Sequence, residues 1–290
     1  MKTMKHLLLL GLAPAMLAAA QLAQAQTKQV LLAGQAYTFA GSSASGTGTV
    51  TYQWYRNNEA IAGATSVSYT MPGNLAYGEN VEFKRGAVSS TCPYNISYTG
   101  SYIVTFCALL VSTTCWATTN VDDYQTFAAK PDMYTKFYQW NRTTAWPAFG
   151  DATGWYATSI TSSWTNNPCP AGWRPPTSSE LTNLNNAGTT WVVAGTRGAA
   201  VAGRFYGPNH NVPASCSLPN SMFNCLFLSA GGYRTYNNGG LTGQGSTGSY
   251  WSGSVANTSS RGYYLDFSST NNIPNQANDK LYGMNLRCVQ

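Results

Sequence analysis

The chain is short of charge, nearly without histidine, and carries no long apolar run beyond its first residues; each shortage removes a class of function. Charged residues make up 9 % of the 290 residues, with 16 Lys and Arg against 10 Asp and Glu. No block of Lys or Arg gathers the positive charge, so the footprint of a nucleic-acid partner is missing, as is that of a disordered polyelectrolyte. The two histidines are His6 and His210. A Ser-His-Asp triad downstream of a leader would have to use His210, and no Gly-x-Ser-x-Gly elbow accompanies it. The carboxylates are scattered, so no acid and base pair of the glycosidase kind stands out. There is no Cys-x-x-Cys, which leaves zinc without its usual ligand spacing. After Ala20 nothing apolar approaches the roughly 20 residues that a helix needs to cross a bilayer.

What is present begins with an export signal. Lys2 and Lys5 precede an apolar run from Leu7 to Ala20, and Ala23-Gln24-Ala25 has the small-x-small pattern that signal peptidase reads. The expectation is a signal peptide over residues 1–25, cleavage after Ala25, no membrane span thereafter, and a secreted or cell-surface destination. No cysteine stands at the cleavage site to carry a lipid. Removing the leader leaves 14 basic and 10 acidic residues in 265. Abundant Gly, Ser, Thr, Asn and Tyr then describe a β-dominated chain whose turns use Gly and Asn. Seven cysteines, at 92, 107, 115, 169, 216, 225 and 288, enter an oxidising compartment in which disulfides are the default. Spacing alone leaves their connectivity open. Cys92 and Cys107 flank a predicted hairpin over 93–106, so joining them would brace it. Cys216 and Cys225 are close enough to staple a local loop.

From Gln29 to Phe106 short apolar and polar alternations separated by turn signals predict a small antiparallel sandwich. The expected strands are Val30–Leu32, Ala36–Phe39, Val50–Arg56, Ser66–Thr70, Asn80–Arg85 and Tyr102–Phe106. Tyr52, Trp54 and Arg56 share one face, with Trp54 as the core plug, and Asn57-Asn58 turns the chain. The Tyr-x-Trp-Tyr strand, the following turn, and the Ala62-Gly63-Ala64-Thr65 segment resemble a bacterial immunoglobulin-like domain, over residues 26–107. No cysteine precedes Trp54, so the usual inter-sheet bridge is absent.

Residues 108–290 carry a second set of blocks. Thr177-Ser178-Ser179-Glu180 reads as a capping box opening a helix, with Leu181 and Leu184 on its buried face, Trp173 beside it and Gly188 at its end. Glu180 is therefore a capping partner, and Asp122-Asp123 a solvated turn and not a calcium site. Tyr250–Ser254 and Tyr263–Phe267 predict paired strands, and Met284–Val289 a closing one. Four ordered blocks, Cys169-Pro170-x-Gly172-Trp173-Arg174-x-Pro176-Thr177-x-x-Glu180-Leu181, Leu226-Phe227-Leu228-x-Ala230-x-Gly232-Tyr233-Arg234, Gly248-x-Tyr250-Trp251-Ser252 and Gly283-Met284-x-Leu286-Arg287-Cys288-Val289, resemble the Fibrobacter succinogenes major paralogous domain family. That resemblance implies a C-type-lectin-like domain with long loops and a bond between Cys169 and Cys288. It leaves Cys115 as the odd thiol.

The fold expected is thus mainly β with a small α+β part, a sandwich followed by the lectin-like unit. Its function is expected to be a non-enzymatic surface or adhesion module, with no cofactor and no metal, that recognises a glycan or a surface protein without calcium. The carboxylate-bearing loop and strand of true C-type lectins are missing. Sugar faces can instead stack on aromatic rings and bond to polar groups, and the candidates are Arg204, Tyr206, His210, Tyr233, Arg234 and Trp251. Two alternatives stand beside this: a cysteine-dependent oxidase related in fold to the formylglycine-generating enzyme, using Cys216 and Cys225, and a purely structural envelope or fimbrial component.

Overall fold

The computed structural model describes residues 27–290 apart from 33–35, 45–46, 72–79, 92, 159–162, 214–215 and 219–224. The signal peptide and Cys92 lie outside the described residues. Among those described, twenty strands and one helix make the chain mainly β.

The first eight strands form a sandwich: β1 (Thr27–Leu32), β2 (Tyr37–Phe39), β3 (Val50–Arg56), β4 (Glu59–Ala60), β5 (Tyr69–Met71), β6 (Asn80–Ser89), β7 (Ser97–Tyr98) and β8 (Tyr102–Cys107). One sheet runs β1-β8-β6-β3-β4, with β1 parallel to β8, and β2-β5 forms the facing layer. Period-two alternation turns Val81 and Phe83 inward against Phe39, Trp54, Met71 and Val104, all at most 1 % exposed. Phe39 stacks on Phe83 at 4.8 Å between ring centroids. Asn57 and Asn58 take φ of 47° and 69°, the left-handed pair that a two-residue hairpin turn requires. In place of the strand expected over Ser66–Thr70 stands β5 over Tyr69–Met71, and the Ser66 carbonyl receives the Trp54 indole N–H at 3.1 Å.

The remaining strands are β9 (Leu109–Val111), β10 (Thr114–Trp116), β11 (Tyr138–Gln139), then, after helix α1 (Ser178–Asn186), β12 (Thr189–Val192), β13 (Gly203–Tyr206), β14 (Leu226–Ser229), β15 (Tyr233–Arg234), β16 (Leu241–Thr242), β17 (Thr247–Val255), β18 (Arg261–Ser268), β19 (Asn272–Asp279) and β20 (Gly283–Met284). Their sheets are β10-β9, β11-β20-β15-β16, β12-β13-β14 and β17-β18-β19. Strand β17, though at the edge of its three-stranded sheet, is buried on both faces. Tyr250 enters a core with Trp116, Leu181, Leu184, Leu265 and Phe267, whereas Trp251 enters one with Tyr138, Trp140, Trp173 and Met284. Gly248 is required there, since a Cβ would lie 2.1 Å from the Phe267 ring. The expected closing strand over 284–289 is reduced to β20, and its remainder contacts neighbours through isolated bridges such as Arg174 with Val289. Trp173 packs edge-on against Phe127 at 5.4 Å instead of joining the helix leucines.

Three disulfides brace this unit. Cys169 is bonded to Cys288 and Cys216 to Cys225. The third corrects two expectations: Cys107 is bonded to Cys115, so Cys107 is not the partner of Cys92 and Cys115 is not left over. The cause is the β9–β10 hairpin, which pairs Cys115 with Leu110 and brings the two cysteine Cα atoms to 5.3 Å. Such bonds fit an oxidising environment. Among the described residues no helix is long and apolar enough to cross a membrane.

Helix α1 begins as its capping box demands. Thr177 Oγ1 accepts from the Glu180 N–H at 3.2 Å, and Glu180 Oε2 accepts from the Thr177 N–H at 2.7 Å. Arg174 adds a two-pronged ion pair to the same carboxylate at 2.8 and 2.7 Å. Burial alone would raise the Glu180 pKa, but the Arg174 and Thr177 hydrogen bonds and the Arg174 charge outweigh it and hold the carboxyl at about 2. A depressed carboxyl stabilises the fold fully above its ordinary value near 4.5, and that contribution disappears as pH falls toward about 2. Urea midpoints measured across that window are expected to fall in the native chain and to fall less steeply in Glu180→Gln. Parallel curves would remove Glu180 from this role.

Candidate functional site

Four of the six side chains expected to bind a ligand are instead part of the scaffold. Arg204 lies on β13, whose four residues are all buried, and its guanidinium donates to the carbonyls of Ser268 at 2.9 Å and Asn271 at 3.2 Å. It thereby clamps the β18–β19 turn. Tyr206 is fully buried and gives its hydroxyl to Asn272 Oδ1 at 2.8 Å, and burial drives its pKa upward. Arg234 is also fully buried: Nη1 reaches the Gly239 carbonyl at 2.6 Å, and Nη2 those of Pro147 at 2.6 Å and Gly150 at 3.0 Å. Trp251 donates its indole N–H to the Tyr138 carbonyl at 2.8 Å from within the core. Each satisfies backbone carbonyls of long connections or fills a core, and leaves little for a ligand.

His210 is half-buried, with Nδ1 2.6 Å from Thr190 Oγ1. Burial, then the Arg197 charge, lowers its pKa, so the ring is neutral at physiological pH. Cys216 and Cys225 are bonded and buried among Val192, Phe205 and Phe227. Among the described residues no group of three or more His, Cys, Asp or Glu is placed to hold a metal ion. Asp123 pairs with Lys136, and Asp122 accepts the Lys136 backbone N–H at 3.1 Å.

Tyr233 belongs to a different arrangement. Its ring lies 5.8 Å from Tyr282, which lies 5.4 Å from Tyr236, and neither contact is a parallel stack. The side chain of Asn278 on β19 lies close enough to Tyr264 and Tyr282 to favour the ionised form of both, against the larger effect of burial. The four rings form the outer layer over the Trp140–Trp251 core: Tyr264 meets Trp251 at 5.9 Å, while Tyr236 stays half exposed. The loop bearing Tyr236 is held from below, where Trp155 donates its indole N–H to the Tyr236 carbonyl at 3.0 Å. Trp155 fits only because Gly239 and Gly283 lack side chains; a Cβ at either would sit 2.5 or 2.7 Å from its ring. Beneath, the fully buried Gln139 donates to the carbonyls of both Tyr156 and Leu281 at 2.9 Å, and Arg142 covers the Tyr156 ring at 4.2 Å.

Burial first, and then the Asp266 charge, pushes Tyr264 up to about 12. Tyr282 is raised by burial and by Tyr233, Tyr236 and Asp279. The Tyr264 and Tyr282 phenols are therefore neutral at physiological pH and can both donate and accept. Partly exposed aromatic faces, hydroxyls and one amide suit stacking and hydrogen bonding. Only Tyr233 of this group was among the sequence candidates; Tyr236, Tyr264, Tyr282 and Asn278 come from three separate segments whose meeting has no sequence signature. No family model, characterised protein or solved structure matches the chain.

Proposed function

We propose that the chain is an exported, non-enzymatic binding protein whose tyrosine platform takes the face of a glycan without calcium. The observation that carries this reading is the cluster of Tyr233, Tyr236, Tyr264 and Tyr282 around Asn278, with Tyr236 half exposed and the rings seated on a packed core. A sugar ring has an apolar face for such rings and hydroxyls for the phenols and amide. The N-terminal part is read as an immunoglobulin-like spacer, supported by a sheet order in which a first strand runs parallel to the last. The C-terminal part is read as a lectin-like module of the Fibrobacter succinogenes major paralogous domain family, supported by the Cys169–Cys288 bond and by burial of the Tyr250-Trp251-Ser252 block at its centre.

A glycan array probed with the mature chain, in calcium and again in chelator, tests the reading. Binding is expected to be equal in both. Tyr236→Ala and Tyr282→Ala are each expected to weaken it about tenfold, the equivalent of about 1.4 kcal/mol of lost stacking and hydrogen bonding. An array without hits, or variants that bind like the parent while keeping its near-ultraviolet circular dichroism, would sink the platform.

A further inference from the structure

The sandwich contains a buried cation whose surroundings are incomplete. Arg85 lies on β6 at an inward-facing position and is 3 % exposed. Its Nη1 donates to the Val67 carbonyl at 2.6 Å, its Nη2 to the Ser42 carbonyl at 2.8 Å, and its guanidinium lies 4.6 Å from the Tyr52 ring. No carboxylate among the described residues pairs with it, and its buried Nε has no partner. Arg204, Arg234 and Arg287, also buried, each place Nε against an oxygen at 2.8 to 3.0 Å. Carbonyl dipoles offset part of the desolvation of a guanidinium, but an unpaired N–H on a buried cation is costly.

The same arginine lines a cleft of about 290 Å³. The ladder explains its position. Strands β7 and β8 pair in succession with the same edge of β6, at Gly86–Ala87 and at Asn80–Phe83, and the chain between them leaves the sheet over residues 99–101. Thr99 bridges the gap by bonding the Arg85 backbone, as acceptor at its hydroxyl, 3.3 Å, and as donor from its N–H, 2.9 Å. Opposite, the chain passes at Gly41, where a Cβ would lie 2.0 Å from the Val67 carbonyl and 2.3 Å from Arg85 Nη1. Between these two segments, with Trp54 and Tyr102 as walls, the cleft is lined by one cation, by the polar residues Ser42 and Thr99, and by aromatic residues.

We propose that this cleft is a binding site for the carboxylate of a small hydroxylated acid, which would supply the Arg85 guanidinium with the counter-charge it lacks. The site is separate from the tyrosine platform and does not depend on it.

The test is a titration of the ¹⁵N-labelled mature chain, following the Arg85 Nε–H resonance, assigned by its loss in Arg85→Lys. Sodium acetate probes the carboxylate alone, sodium glucuronate the carboxylate with hydroxyls, glucose the hydroxyls alone, and sodium chloride at matched ionic strength the charge alone. A saturable shift with acetate, saturating at lower concentration with glucuronate and absent with chloride and glucose, is expected. Ser42→Leu, which fills the mouth of the cleft and retains the Ser42 carbonyl, is expected to keep the spectrum dispersed and abolish the shift. No saturable shift, an equal shift with chloride, or an undiminished shift in Ser42→Leu overturns the site.

Discussion

Replacing Cys169 and Cys288 together with serine is expected to destabilise the C-terminal unit by about 4–5 kcal/mol, because the bond closes a loop of 119 residues and loop closure removes that much freedom from the unfolded chain. The loss should be larger than for Cys107→Ser with Cys115→Ser, whose bond spans 8 residues. The location matters as well as the length. Cys288 sits where the Ala117 N–H bonds its carbonyl at 3.0 Å, and the next residue, Val289, exchanges backbone hydrogen bonds with Arg174 at 2.8 and 2.9 Å. The disulfide thus holds the approach to α1 against the end of the chain, in a region with bridges and no long ladder. Urea unfolding followed by tryptophan fluorescence measures the effect. A loss of under about 1 kcal/mol would mean that these backbone bonds and the packing around Trp173 close the unit by themselves.

Asn120→Leu is expected to cost about 3 kcal/mol for a different reason. Arg287 is 1 % exposed and is held by oxygens alone: Asn120 Oδ1, the Ala117 carbonyl and the Phe227 carbonyl, each at 2.8 Å. Asn120 in turn donates to the Tyr250 hydroxyl at 3.1 Å, which donates to the Ser229 carbonyl at 2.9 Å. Burial pulls the Arg287 pKa down to about 10, against an opposing effect of Tyr250, so the group remains charged at neutral pH and its N–H groups must be met. Removing Asn120 Oδ1 strands a charged donor in the core, where a lost partner costs more than the bond contributes. Arg287→Met in the same background removes the stranded cation. The double variant is therefore expected to be more stable than the sum of the single losses, by about 1 kcal/mol or more in a double-mutant cycle. Additive losses would show that the Asn120–Arg287 contact carries no such coupling.

Local physics was legible in the amino-acid order. The capping box at Thr177 and Glu180 forms because both bonds lie within one turn. The Asn57-Asn58 turn forms because asparagine tolerates left-handed backbone, and β3 then has one register that buries Trp54. The candidate site was far less legible. Arg204, Arg234 and Trp251 have the chemistry of ligand-binding groups, yet the same donors serve equally well to satisfy carbonyls of long loops, and only position decides which they do. Cys107 and Cys115 fall on either side of the boundary between residues 107 and 108, and only the β9–β10 hairpin brings them together in space.

By itself the sequence determined what kind of chain this is: poor in charge, rich in β-formers and turn residues, with cysteines suited to disulfide bonding and one well-marked helix. Those properties depend on composition and on neighbours a few residues apart. The tertiary structure alone decided which polar groups are consumed by the scaffold and which face outward. It assembled Tyr233, Tyr236, Tyr264 and Tyr282 from distant segments and left Arg85 Nε without an acceptor. The physical reason is that hydrogen-bond satisfaction and burial are properties of the packed whole, and no local pattern encodes them.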